Sequence, residues 1–386
     1  MLDIAEELVG WCERGRPFAV ATVVATGGSA PRQPGAALAV DGDGTVIGSV
    51  SGGCVEGAVY ELCQEALAGG PQASLERFGY SDEDAFAVGL TCGGEIDILI
   101  QRVEPAARPE LVGALAAAAA ARPAALARVV EGPAELLGLA LLVRGDGSRS
   151  GSLGDPERDR YAAGEALALL SAGRTGTVVI GADGSRCGRP ITLLVESSLA
   201  PPRLLVFGAI DFAAALARAG RFLGYRVTIC DARPVFATRQ RFPDADEVVA
   251  DWPHRYLDAE TSARRVDART AVCVLTHDPK FDIPLLERAL RLPVGYVGAM
   301  GSRRTHLRRL DGLRETGVTE LDLARLHSPI GLDLGARTPE ETALSIAAEI
   351  VAFRNGGSGR PLTGAHTPIH HDAPHPATRR AGYPAA

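Results

Sequence analysis

The sequence has no Cys-X-X-Cys pair, no excess of basic charge and no uninterrupted apolar run long enough to cross a bilayer. Each absence removes a class of function. The seven cysteines, Cys12, Cys54, Cys63, Cys92, Cys187, Cys230 and Cys273, are an odd number spread through 386 residues, which points to reduced thiols rather than a disulfide framework or a structural zinc site. A formal net charge of -7, with charged residues at 23%, argues against nucleic acid or an anionic membrane as a partner. The most apolar stretch, GALAAAAAARPAALA, is broken by Arg122-Pro123 and reads as a helix and a turn, not a membrane span. MLDIAEELVGWCERG lacks the basic region and apolar core of a signal peptide, so it is expected to be the first helix of a cytoplasmic protein. Two or three domains are expected at this length.

What is present begins with a repeat. FAVATVV at 18–24 resembles AALARVV at 124–130, AVDGDGTVIGS at 39–49 resembles LVRGDGSRSGS at 142–152, and TCGGEIDILIQ at 91–101 lies over RCGRPITLLVE at 186–196. Each copy, about 18–104 and 124–197, reads as a strand, a hairpin turning at Gly-Asp-Gly, a helix and a closing strand. The expected N-terminal domain, 1–200, is therefore an α+β fold built by duplication. The repeat also supplies an internal control. Copy one enters its helix through Ser51-Gly52-Gly53-Cys54-Val55-Glu56, whereas copy two uses Gly154-Asp155-Pro156-Glu157-Arg158-Asp159, with an aspartate N-cap, proline in the first turn and acidic residues after it. The scaffold does not need Gly-Gly-Cys there, which points to a function for Gly52, Gly53 and Cys54.

N–H groups at a helix start attract anions and favour a thiolate, so Cys54 is either a reactive thiol or a ligand. A helix over SDEDAFAVGL, capped by Ser81 and Asp84, leads into Cys92, Gly93 and Gly94, whose glycines would let a ligand approach the backbone. The alternative is that both glycine pairs serve only as turns, and Cys187 in copy two weakens the case for Cys92. Cys63, Cys230 and Cys273 read as small core residues.

After the proline linker at 198–203 the pattern changes. LLVFGAIDFAAALARAGRFLGYRVTICDARP reads strand, glycine turn, amphipathic helix, strand and acidic residue, the first βαβ unit of a Rossmann-like, doubly wound parallel sheet over 203–356. Gly208 supplies the first fingerprint glycine and Asp231 the acidic residue, but Ile210 stands where the second glycine belongs. NAD(P) is therefore a doubtful ligand. DEVVA, TAVCVLTH and PVGYVGAM are expected strands, with His277 and Asp278 a polar pair and Gly301, Ser302, Arg303 and Arg304 an anion-binding turn or a plain helix start. The last helix is expected to be capped by Thr338 and Glu341 and stopped at Asn355-Gly356. The His- and Pro-rich segment 357–386 is expected to be disordered.

Taken in order, ATVVATGGSAPRQPGAALAV, GSVSGGCVEGAV, GLTCGGEIDILI, VFGAIDFA, THDPKFD, YVGAMGSRR and HSPIGLDLGARTPEETALSIAAEI resemble the XdhC/CoxI family of molybdoenzyme accessory proteins. The resemblance implies a cofactor chaperone or insertion factor rather than a catalyst. It would hold molybdenum cofactor (molybdopterin, a phosphorylated pterin with a dithiolene-bound metal), protect it during sulfuration by a cysteine desulfurase, and deliver it to a xanthine dehydrogenase-type molybdoenzyme, working as a homodimer. Ser51, Gly52, Gly53, Cys54, Glu56, Cys92, Gly93 and Gly94 would line the cofactor, with Cys54 and Cys92 at its molybdenum end. Gly208, Asp231, Gly301, Ser302 and Arg303 would contribute from the second half, in a cleft shared with the Cys54 turn. An NAD(P)-dependent oxidoreductase and a cofactor-free adaptor are the alternatives. Relatives keep a Gly-Ala-Gly-His-like turn where this chain has Gly208-Ala209-Ile210-Asp211, which puts nucleotide binding in doubt.

Overall fold

The structure, a computed structural model, describes residues 1–27, 32–79, 94–181 and 190–364. The expected helix over 81–90, Cys92, Gly93, Cys187 and the tail beyond Gly364 lie outside the described residues. The chain divides into two compact units, Met1–Ala200 and Pro201–Ala386. Among the described residues no helix is long and apolar enough to cross a membrane.

The first unit runs α1 (Ala5–Glu13), β1 (Phe18–Gly27), β2 (Ala37–Asp41), β3 (Val46–Gly48), α2 (Glu56–Leu67), β4 (Ala73–Phe78), β5 (Glu95–Val103), α3 (Pro109–Ala119), β6 (Ala124–Glu131), β7 (Ala140–Arg144), β8 (Arg149–Ser152), α4 (Pro156–Ala172), β9 (Gly176–Gly181) and β10 (Pro190–Ser198). Two five-stranded antiparallel sheets share one order, β3-β2-β1-β5-β4 and β8-β7-β6-β10-β9. Their hairpins bend at equivalent glycines. Gly48 and Gly151 have φ of +76° and +83°, and a Cβ there would lie 2.2 Å from the Ala37 carbonyl and 2.4 Å from the Ala140 carbonyl, so only glycine fits. β4 and β9 add a fifth strand to each expected unit. Both lie at sheet edges and are largely half-exposed, so they lack the alternating apolar signal that marks a buried strand.

Each sheet is covered on one face by its own helix. Ala19, Ala21 and Val23 pack under α2, and Ala125, Ala127 and Val129 under α4. The opposite faces meet each other, with α1 and α3 filling one end through Leu8, Trp11, Leu111 and Leu115. At the seam Val24 and Val130, the bulged residues of β1 and β6, pack on Leu99 and Leu194. Between them Arg128 is wholly buried. Its guanidinium donates to Thr22 Oγ1 at 2.9 Å, Glu196 Oε2 at 2.7 Å and Gln101 Oε1 at 3.3 Å. Burial alone would raise Glu196, but the Met1 amine at 2.6 Å and Arg128 hold its carboxyl at about 2.

The second unit runs β11 (Arg203–Phe207), α5 (Asp211–Phe222), β12 (Arg226–Asp231), β13 (Glu247–Ala250), α6 (Pro253–Ser262), β14 (Ala271–Val274), α7 (Pro279–Arg291), β15 (Tyr296–Ala299), α8 (Arg303–Glu315), α9 (Glu320–Leu323), β16 (Leu326–His327) and α10 (Pro339–Asn355). The sheet is all parallel, ordered β13-β12-β11-β14-β15-β16. This is the doubly wound Rossmann order. Leu204 and Val206 face α5 and α10, whereas Leu205 and Phe207 face α6 and α7. α10 carries the expected Thr338–Glu341 capping box and ends on left-handed Gly356.

Arg128→Met should cost about 3 kcal/mol, because it takes one of two cationic partners from buried Glu196 and leaves the Gln101 and Thr22 oxygens without their donor. Adding Glu196→Gln should recover part of that loss, both read from urea unfolding of the full chain. Equal stability of Arg128→Met and the parent would remove the seam from the account.

Candidate functional site

The Cys54 turn is built around one carboxylate. Glu56 opens α2 and reaches back over the five residues before it. Its Oε1 accepts from Ser49 Oγ at 2.7 Å, Ser51 N at 2.9 Å and Gly52 N at 2.8 Å. Its Oε2 accepts from Gly53 N at 2.8 Å and from the Ser51 hydroxyl. Ser51, itself buried, accepts in turn from Cys54 N at 2.9 Å and Val55 N at 3.0 Å. The N–H groups that sequence reasoning leaves open to an external anion are thus held by the chain's own anion. Burial would raise Glu56, but the Ser51 and Ser49 hydroxyls and the turn N–H groups hold it at about 2.

Copy two shows which part of this device belongs to the scaffold. Asp159 occupies the position of Glu56, accepting from Ser152 Oγ at 2.8 Å and Leu153 N, while Gly154 N donates to Ser152 Oγ at 3.0 Å, as Gly52 N does to Ser49 Oγ. The serine–carboxylate clasp is common to both copies, and the glycine pair and cysteine are particular to copy one. Gly52 and Gly53 stand exposed at φ of +80° and +122°, with no atom of another described residue within 4 Å of the place a Cβ would take. Cys54 is half-buried beside them, resting on the core under α2. A soft thiol flanked by open backbone fits a thiolate-seeking metal centre. Among the described residues no three His, Cys, Asp or Glu side chains group as metal ligands. Gly94 is buried one residue before β5; its expected companions Cys92 and Gly93 are outside the described residues.

In the second unit Gly208, Thr276 and Gly301 follow the carboxyl ends of β11, β14 and β15. Gly208 has φ +117°, and a Cβ there would lie 3.0 Å from Thr276 N. Asp231, the acidic residue of the fingerprint, is buried and already engaged. Its Oδ2 accepts from Ala209 N at 2.8 Å, and Arg233 closes a fork on both oxygens at 2.9 and 2.8 Å. Burial would raise Asp231, but Arg233 and the Ala209 N–H hold its carboxyl below the usual range. A ribose would have to displace that arginine. Ser302 caps α8 by accepting from Thr305 N at 3.1 Å, leaving Arg303 and Arg304 exposed in the first turn. Asp278 caps α7 and pairs with Lys280 at 2.9 Å, while His277 is exposed.

Sequence reasoning missed two buried arginine centres, because their partners are distant in the chain. One is Arg128 at the seam. The other is Arg309 in α8, which donates to Asp282 at 2.9 Å, the Met300 carbonyl at 2.9 Å and Ser328 at 3.1 Å, tying together the loops after β15 and β16.

Glu56→Ala should destabilise the chain by about 1–3 kcal/mol, since the buried Ser51 N–H loses its acceptor. Glu56 has a depressed carboxyl, so its contribution is present above the ordinary carboxyl range and is lost as pH falls towards about 2; unfolding curves measured down the acid range would show it. For the second unit, calorimetry should find weak NAD(P) binding that Ile210→Gly alone does not rescue, because Arg233 still holds Asp231. Ile210→Gly together with Arg233→Ala should strengthen it. Tight binding by the unaltered chain would contradict this reading of the fingerprint.

The comparisons agree with this division. The XdhC and CoxI family matches residues 11–79 and 117–181, and the XdhC Rossmann domain matches residues 204–350. Among curated proteins, Uncharacterized protein YqeB of Escherichia coli K12 is 30% identical over 249 residues, covering 61% of this chain. The match spans only 44% of YqeB. A protein of Bacillus subtilis 168 named as a probable xanthine dehydrogenase subunit is 26% identical over 338 residues, covering 87% of this chain and 92% of that protein. Molybdenum cofactor insertion chaperone PaoD of E. coli K12 is 28% identical over 341 residues, covering 88% and 84%. A crystal structure from Bacillus halodurans, described as a xanthine dehydrogenase, has the same fold, with a TM-score of 0.65 at 22% identity over 93% of this chain and 99% of that one. The chain belongs to the XdhC and CoxI family.

Proposed function

We propose that this protein is a cytoplasmic chaperone that holds molybdenum cofactor and hands it to a xanthine dehydrogenase-type molybdoenzyme. The observation that carries the reading is the turn at 49–56. One copy of a duplicated scaffold keeps a serine–carboxylate clasp and adds two open glycines and a half-buried thiol. Similarity over most of the chain to a molybdenum cofactor insertion chaperone supports the same role.

The cofactor supplies a soft metal centre that a thiolate can ligate. The chain's own residues do the rest. Gly52 and Gly53 give room for a bulky ligand, Glu56 fixes the backbone so that Cys54 is presented in one geometry, and the half-buried site limits access of water to the thiol. Cys92, Gly93 and Gly94 belong to the same site in this proposal. A cysteine desulfurase is the sulfur source and the working assembly is a homodimer. The engaged Asp231 disfavours the oxidoreductase alternative.

Metal and pterin analysis of protein co-expressed with cofactor biosynthesis tests the proposal. Cys54→Ser should fold, because copy two accommodates other residues in that turn, yet lose most of its molybdenum. Cys92→Ser should lose less. Unchanged metal and pterin content in Cys54→Ser would remove the thiol from the role.

A further inference from the structure

A cavity of about 770 Å³ opens in the first unit at one end of the seam between the two copies. Its volume is that of a small-molecule site. The walls come from both copies and from the start of the chain, with Leu2, Ile4 and Ala118 apolar, and Arg32, Thr175, Glu196 and Ser197 polar. Three observations distinguish it from a packing fault. Glu196 is buried and held ionised by its cationic neighbours, so the inner wall carries a fixed acceptor. The Ser197 hydroxyl is buried with no hydrogen-bond partner among the described residues, which is costly unless something fills the space. Arg32 reaches from the cavity towards the cysteine turn, its Nε donating to the Ser49 carbonyl at 3.3 Å and its Nη2 lying 3.5 Å from Asp3.

At the other end of the seam Gly138 is the counterpart of Gly35 under the offset that relates the hairpins, and its carbonyl is taken by Gln101 at 2.8 Å and Arg108 at 2.6 Å, as that of Gly35 is by the Met1 amine. A Cβ on Gly138 would lie 2.6 Å from Gln101 Nε2. The cavity lies at the end next to the Cys54 turn.

We propose that this cavity holds the pterin ring of the cofactor, its polar edge on Ser197, Thr175 and the remaining acceptor site of Glu196, with the cofactor phosphate turned towards Arg32. Apolar walls with a few fixed polar groups suit a flat heteroaromatic ring whose edge carries donors and acceptors. A guanidinium at the mouth suits phosphate oxygens. Because Arg32 is bonded to Ser49, a cofactor seated this way directs its metal end to the same side as Cys54. The inference rests on the chaperone reading and adds to it where the organic part binds.

The test uses the full apo chain and two fluorescent probes, a phosphate-free pterin and a pterin bearing a phosphate monoester. Both should bind the parent protein. Ala118→Phe, which fills the cavity from α3, should weaken both probes at least roughly tenfold, and so should Ser197→Val, a smaller change that guards against misfolding of the first variant. Arg32→Ala should weaken only the phosphorylated probe, by roughly tenfold. Pterin affinity indifferent to Ala118→Phe and Ser197→Val would overturn the cavity assignment and leave the chaperone reading standing. Equal loss of both probes in Arg32→Ala would overturn the phosphate contact. No binding of either probe, with no metal or pterin in co-expressed protein, would overturn both readings together.

Discussion

A buried guanidinium has to be matched by acceptors where no water reaches it, and in the first unit that requirement falls on the seam between two copies of one fold. Arg128 and its acceptor Thr22 occupy the same place in the two repeats, as do Gln101 and Glu196. Residues at equivalent places that touch each other lie on the pseudo-twofold axis. In a dimer of identical chains, an arginine there would face a second arginine, which is repulsive without water. Fusion of the copies into one chain lets equivalent positions diverge, so that arginine faces threonine at the centre and glutamate at one end of the seam answers to glutamine at the other. The asymmetry spreads outward from that centre. At the Gln101 end the amide seals against Gly138, and at the Glu196 end the carboxylate lines a cavity.

The same logic applies to the two helix starts. Ser49 with Glu56 and Ser152 with Asp159 are one device with different carboxylates. The longer glutamate of copy one spans a wider turn and collects the Ser51, Gly52 and Gly53 N–H groups, whereas copy two caps its helix separately with Asp155, which accepts from Glu157 and Arg158 N–H. Glu56 therefore does for copy one what two aspartates do for copy two. That economy puts the structural duties of positions 52 to 54 on their backbone N–H groups, and leaves the side of the turn at Gly52 and Gly53 open beside the Cys54 thiol.

Local features were legible in the sequence because their physics is local. The Thr338–Glu341 box, the Asp155 cap with Pro156, the stop at Gly356 and the alternation of strands and helices after Arg203 all appear where propensity and spacing place them. The repeat was legible through Gly48 and Gly151, whose backbone admits no side chain. Edge strands β4 and β9 were not, since a half-exposed strand has no clean apolar alternation. Neither were the Arg128 and Arg309 networks, which join residues from 9 to 106 positions apart. Charged residues in a sequence read as surface unless their partners are known. The occupation of the Cys54 turn by Glu56 lay in between. Its spacing is visible, but whether a carboxylate folds back on its own turn or faces a ligand depends on one rotamer.

The second unit keeps the packing half of a dinucleotide fingerprint and loses the binding half. Gly208 is retained because the loop after β14 passes too close for a Cβ, and Gly220 because a Cβ there would lie 2.5 Å from Leu204. Ala213 is small for the same reason, being buried where α5 meets the sheet. These positions answer to the fold. The positions that answer to the ligand have changed, with Ile210 at the second glycine and Asp231 clamped by Arg233 and Ala209 N–H. A bidentate, charge-assisted pair is among the stronger contacts a surface crevice holds, so a ribose hydroxyl, a weaker partner for a carboxylate, does not exchange with it on equal terms. What survives is a rigid parallel sheet whose crest loops are tied by Arg309 to Asp282, Met300 and Ser328. Such a body can present a surface without binding a nucleotide, and in the proposed function the cofactor chemistry is assigned to the duplicated half.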